Sequence, residues 1–108
     1  AVGYVNTIRR RAAKPGATEV ETQANKLAME ISQDQLNIDF ILDERARELL
    51  GEMMRWFDLV RTGKLVERVK KYNLMAAPNI QSFHTLRPIP QEQIDRTSTE
   101  FKQNPGYN

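Results

Sequence analysis

Apolar residues recur at helical spacing along the first two-thirds of the chain. Val2, Val5, Ile8 and Ala12 fall near one face and predict a helix over residues 1–13. Lys14-Pro15-Gly16 ends it, because proline and glycine interrupt helical continuation. Val20, Ala24, Leu27, Ala28 and Ile31 predict a second helix over 19–31, and the polar stretch 32–37 reads as a connection. A long amphipathic helix is expected over 38–62, with Ile38, Ile41, Leu42, Leu49, Leu50, Met53, Phe57 and Val60 as its stripe and Trp56 and Leu59 widening it. Gly63 is its expected C-terminal glycine. A shorter helix over 64–72 follows, carried by Leu65, Val66, Val69 and Tyr72. Periodicity then fades. Pro78, Pro88, Pro90 and Pro105 impose extended and turn geometry, and Pro90 is placed to open one helical turn over 91–95. The expected class is mainly α: antiparallel or angled helices followed by an irregular, proline-containing C-terminal segment.

Composition fits this picture. The chain has 108 residues, 40% hydrophobic and 28% charged, which is globular rather than disordered composition. At this size one domain is expected, burying roughly 65% of the surface of the unfolded chain. No apolar run approaches the roughly 20 residues of a membrane-spanning helix. There is no cysteine and one histidine, so thiolate nucleophiles, thiolate metal sites and disulfides are excluded. Charge is uneven. Residues 1–18 are purely basic, 19–60 carry ten acidic and four basic groups, and 61–108 carry eight basic and four acidic groups. Alternating blocks suggest segments pairing with one another rather than a face for nucleic acid.

The chemical candidates are few. Glu44, Glu48 and Glu52 share a helix face at four-residue spacing, a pattern that could serve acid–base work or a di-metal site. A bundle-type metal site needs Glu-x-x-His. Arg47 and Arg55 stand where the histidines would be, so the carboxylates read as arginine partners and no metal or cofactor is expected. Asp43 with Arg47 and Arg55 with Asp58 have helical ion-pair spacing. His84 between Ser82 and Thr85 lacks the surroundings of a catalytic triad and reads as structural. Trp56 and Phe57 could stack on a sugar or base, but stripe neighbours favour a core role. Lys64, Arg68, Lys70 and Lys71 read as a solvated helix face, and no nucleic-acid partner is expected. Catalytic residues are expected to be none, and no ligand-binding residue is assigned.

Four stretches in order add a resemblance. They are Tyr4-Val5-Asn6-Thr7-Ile8-Arg9-Arg10-Arg11-Ala12; Asp39 to Leu49 continuing into Arg55-Trp56-Phe57-Asp58-Leu59-Val60-Arg61-Thr62-Gly63; Leu86-Arg87-Pro88-Ile89-Pro90-Gln91 with Ile94-Asp95; and Gln103-Asn104-Pro105-Gly106-Tyr107. Together they resemble the C-terminal region of the SusD/RagB family of outer-membrane nutrient-binding lipoproteins. Met53-Met54 departs from the small or polar residues frequent there. Each motif also has a structural reading. Glu44, Arg47, Glu48, Arg55 and Asp58 form a charge ladder, Ile89 is a peg on a stiff strap, and Tyr107 docks the chain end. The resemblance implies residues 1–108 as a single C-terminal domain, a fragment of a longer, tetratricopeptide-like helical protein. Ala1 already inside a helical pattern reads as a cut boundary. It further implies a lipid-anchored glycan binder, less often a peptide binder, at the cell surface, partnered by a SusC-like TonB-dependent transporter. It implies binding rather than catalysis. The competing reading is a stand-alone helical module that binds a protein or peptide. An enzyme would have to rest on Glu48 or Glu52.

Overall fold

The computed structural model describes residues 1–107. Helices and turns are the only regular structure among them, and the mainly α class is observed. The chain divides into two compact units, residues 1–50 and 51–108.

The first unit holds α1 (Val2–Arg11), α2 (Glu19–Ala28), a 3-10 turn (Gln33–Gln35) and α3 (Ile38–Glu48). Arg9, Arg10 and Arg11 sit in the last turn of α1, where the helix dipole favours cations. The turn into α2 is tight: Gly16 donates its N–H to Thr22 Oγ1 at 3.0 Å, and a Cβ there would lie 2.8 Å from the Thr22 nitrogen. Thr18 caps α2 by accepting the Glu21 N–H at 3.2 Å, while the Glu21 carboxylate accepts the Ala17 N–H at 2.7 Å. Helix α2 packs on α1. It stops short of the expected Ile31, because the Ile31 backbone is captured by Asn6. Asn37 starts α3, accepting the Phe40 N–H at 2.9 Å. Leu42, 1% exposed, is the centre of this unit.

The expected helix over 38–62 is two helices. Helix α3 ends at Glu48 and α4 begins at Arg55. Between them Gly51 has φ +87° and Met53 φ +58°. Two left-handed residues cannot continue a right-handed helix. Leu50 and Met53, read as stripe residues, are 87% and 88% exposed in this connection.

The second unit holds α4 (Arg55–Arg61), α5 (Leu65–Tyr72), a 3-10 turn (Ser82–Thr85) and α6 (Gln91–Asp95). Gly63, φ +68°, ends α4 as expected. Lys64 N–H reaches Leu59 O at 2.8 Å and Gly63 N–H reaches Val60 O at 3.0 Å, the paired bonds of a Schellman ending. Helix α5 packs on α4 and on the Ser82–Thr85 turn. Leu59 and Leu65 are the buried apolar residues of this unit, with Asp58 and Arg68 buried among the polar ones. Pro90 opens α6 as expected, its carbonyl accepting the Gln93 N–H at 2.9 Å.

Two outcomes test this backbone. Gly63→Ala forces an L side chain into the left-handed region and costs about 1–2 kcal/mol, whereas Met53→Gly relieves the same strain and loses no stability; urea denaturation reads both. In the 3-10 turn, hydrogen bonds from Ser32 and from its own backbone hold Asp34 below the ordinary carboxylate value of 3.8. The ionised form is favoured in the folded chain. Its stabilisation is therefore complete above 3.8 and is lost as pH falls through the lower, folded value. A carboxyl NMR titration should place the Asp34 midpoint below 3.8.

Candidate functional site

In the first unit the basic end of α1 meets the carboxylates of α3. Arg9 pairs with Glu44, which also accepts from Arg47 Nη1 at 2.5 Å. Arg11 Nη2 lies 2.6 Å from Glu48 Oε2. Arg9 also donates through Nε to Met29 O at 2.5 Å, and its guanidinium lies 5.5 Å from the centre of the Phe40 ring. Arg10 pairs with Glu30 at 2.5 Å; this hydrogen bond, then the carboxylate's charge, holds the guanidinium above its ordinary value. The charge ladder expected along one helix is present at Glu44–Arg47 and also reaches across to α1. Glu52 leaves the shared face altogether and lies in the exposed connection. Glu44 and Glu48 are each engaged with arginines. Beside them Val5, Ile8, Ile41 and Leu49 line a cavity of about 300 Å³, with Glu44, Arg45 and Glu48 also in its wall.

One side chain ties this unit together. Asn6, 7% exposed, donates through Nδ2 to Ile31 O at 3.0 Å and accepts the Ile31 N–H on Oδ1, also at 3.0 Å. A carboxamide has a donor and an acceptor side by side, so it can bond both backbone groups of one non-helical residue.

The second unit repeats the device. Gln103 Oε1 accepts the Ile89 N–H at 2.7 Å, and its Nε2 donates to Ile89 O at 2.8 Å. The same oxygen accepts the Asn104 N–H at 2.9 Å. Asn104 Nδ2 donates to Arg87 O and Tyr107 OH donates to Leu86 O, each at 2.8 Å. Residues 103–107 therefore clip the strap 86–89, and Tyr107 docks the chain end as its sequence suggests. Gly106, φ +90°, lies so close to Phe83 that any Cβ would enter the ring. Phe83 stacks on His84 at 4.1 Å and meets Tyr107 edge-on at 5.1 Å.

The remaining candidates are placed by these contacts. His84 Nδ1 accepts the Gln81 N–H at 2.9 Å and caps its own 3-10 turn. Thr85 donates its hydroxyl to Ser82 O at 3.0 Å. These are capping bonds within the turn. Trp56 is half-buried and Phe57 exposed, and the Arg87 guanidinium lies 5.4 Å and 5.7 Å from their ring centres. In the basic run Lys64 pairs with Glu67 at 3.0 Å, Arg68 is buried 5.6 Å from the Tyr72 ring centre, and Lys71 Nζ lies 5.0 Å from it. Among the described residues no group of three His, Cys, Asp or Glu is placed to hold a metal ion.

The arrangement defines a helical scaffold segment whose motif residues are engaged in packing and in capturing backbone groups. The SusD family model matches residues 1–107, and the chain belongs to the SusD family. It is similar to SusD-like protein P2 of Formosa agariphila, 32% identical over 99% of this chain and 21% of that protein. SusD-like protein P25 of the same organism is 35% identical over 84% of this chain and 16% of its own length. SusD-like protein P38, also of that organism, is 69% identical over 29 residues, 27% of this chain and 6% of that protein. The chain spans about a fifth of the length of the first of these relatives. No solved structure matches it significantly.

The two carboxamides should dominate polar mutagenesis. Asn6→Ala leaves the Ile31 backbone unpaired and should cost about 1–3 kcal/mol. Asn6→Asp keeps the shape but replaces the donor with an acceptor facing a carbonyl, and should cost at least as much. Gln103→Ala should release the strap at similar cost and quicken amide exchange at Ile89. Thermal denaturation and hydrogen exchange read these outcomes.

Proposed function

We propose that this chain is the C-terminal region of a nutrient-capture lipoprotein. The longer protein binds a glycan at the cell surface and works with a SusC-like TonB-dependent transporter in the outer membrane. The observation that carries this reading is the family match over residues 1–107. The local geometry supports a scaffolding share of the work: Asn6, Arg9, Arg11, Glu44, Gln103, Asn104 and Tyr107 build ion pairs and clips within the chain itself. Glycan contacts then belong to other parts of the longer protein, where aromatic stacking and hydrogen bonds hold a sugar without covalent chemistry. The role is binding, with Glu44 and Glu48 holding helices together rather than moving protons. The lipid anchor and the tetratricopeptide-like helices belong to the same longer chain.

The test has two stages. The coding region upstream of Ala1 should continue in frame to a lipoprotein signal with its cysteine. The purified longer protein should then be retarded by at least one polysaccharide in affinity electrophoresis, and a TonB-dependent transporter should copurify with it from outer membranes. Saturable binding of an amphipathic peptide by the chain, with no glycan retardation of the longer protein, would establish the interaction-module reading instead.

A further inference from the structure

Three exposed apolar side chains of the second unit lie close in sequence at the end of α5. Leu74 is 84% exposed and Met75 90%, and Tyr72 beside them is 59% exposed. They sit on a structured turn. Asn73 accepts the Ala76 N–H on Oδ1 at 3.1 Å and the Ala77 N–H on its carbonyl at 2.8 Å, and Ala76 O accepts from Asn79 and Ile80, each at 3.0 Å. The tip is therefore held out by its own backbone.

Its electrostatics are one-sided. No acidic residue stands between Glu67 and Glu92, and that stretch carries Arg68, Lys70, Lys71 and Arg87. Lys70 and Lys71 lie at the base of the tip, and both are exposed. The charged groups of the packed elements are already engaged: Glu67 with Lys64, Asp58 of α4 with Arg61, and Arg87 over Trp56 and Phe57. The Ser82–Thr85 turn adds His84 and no acid.

We propose that residues 70–75 form a contact tip for an anionic lipid surface. Leu74 and Met75 enter the headgroup boundary, Tyr72 lies at its edge, and Lys70 and Lys71 meet lipid phosphates. Apolar side chains projecting past an aromatic ring and lysines is the composition of an interfacial contact. Charge complementarity selects an anionic bilayer over a neutral one. Two lysines and one short apolar tip make a weak, reversible contact, suited to orienting a protein that something else holds at the surface. The tip needs only this chain's own residues and stands apart from the nutrient-capture reading.

Sedimentation of the chain with phosphatidylglycerol–phosphatidylcholine vesicles tests it. Binding should exceed that to pure phosphatidylcholine and fall with added salt. Lys70→Gln with Lys71→Gln should weaken it about tenfold or more, as should Leu74→Ser with Met75→Ser, while Lys14→Gln with Lys26→Gln changes it little. Circular dichroism and thermal midpoints should be unchanged in all three. Equal binding by the tip variants, or equal binding to neutral vesicles, overturns the proposal. So does a marked loss of stability in Leu74→Ser with Met75→Ser, which would show the tip buried against protein. Light scattering gives the last overturning outcome: a dimer of the unmodified chain that these serines dissolve makes the tip an interface between copies.

Discussion

In each unit one isoleucine outside the helices presents its backbone N–H and C=O to a single carboxamide. Asn6 serves Ile31 in the first unit and Gln103 serves Ile89 in the second. A short helical chain has to dispose of the backbone groups of every segment between its helices. Water does this at the surface, but Asn6 is buried, and there the side chain has to supply both halves of a missing ladder rung. The carboxamide is the neutral side chain that offers both at once. The paths of the flanking segments depend on it. Ile31 cannot extend α2 while Asn6 holds it, and the strap 86–89 cannot leave while Gln103, Asn104 and Tyr107 bond the Leu86 and Arg87 carbonyls and both backbone groups of Ile89.

Polar clamps matter because so little else is buried. Among the described residues Leu42, Leu59 and Leu65 are the buried hydrophobic ones, and Asn6, Asp58 and Arg68 are buried too. With so few apolar residues fully inside, side-chain specificity shifts to groups with directional bonds. The arginines of α1 take the same part. Arg9 is simultaneously an ion-pair partner of Glu44, a donor to Met29 O and a cation beside the Phe40 ring. One side chain thereby joins α1 to both the end of α2 and the face of α3.

Local chemistry is legible in the sequence where a residue's meaning is set by its neighbours. Gly63 reads as a helix ending and Pro90 as a helix opening, because each acts through its own backbone. Tyr107 is legible as a docking residue, though its acceptor is not. The connection at 49–54 escapes the sequence for a physical reason. Apolar spacing runs through it almost without interruption, and spacing cannot tell one helix from two that share a stripe. The signal present there is Gly51, the same residue type that ends the helix at Gly63. Spacing shows the Glu44–Arg47 pair, but the α1 partners of Glu44 and Glu48 are hidden because every i,i+3 and i,i+4 pair looks sufficient. The block of basic residues ahead of an acidic block is the better guide, since it points to pairing between segments. The Asn6 and Gln103 clamps have no local signature at all: their partners lie 25 and 14 residues away.

This division bears on what family resemblance means for the chain. Residues in the stretches that carry the resemblance have demanding structural tasks: Gly106 against a phenyl ring, Asn104 and Gln103 on the strap, Arg87 over Trp56 and Phe57, and Arg9 and Arg11 on α3. Such tasks do not depend on which ligand a protein captures. A binder that changes its sugar must change the groups that touch it, but it has no reason to change the groups that hold its frame. In this chain Arg9, Gln103 and Asn104 donate to backbone carbonyls, Arg9 and Arg11 pair with carboxylates of α3, and Arg87 lies over two aromatic rings.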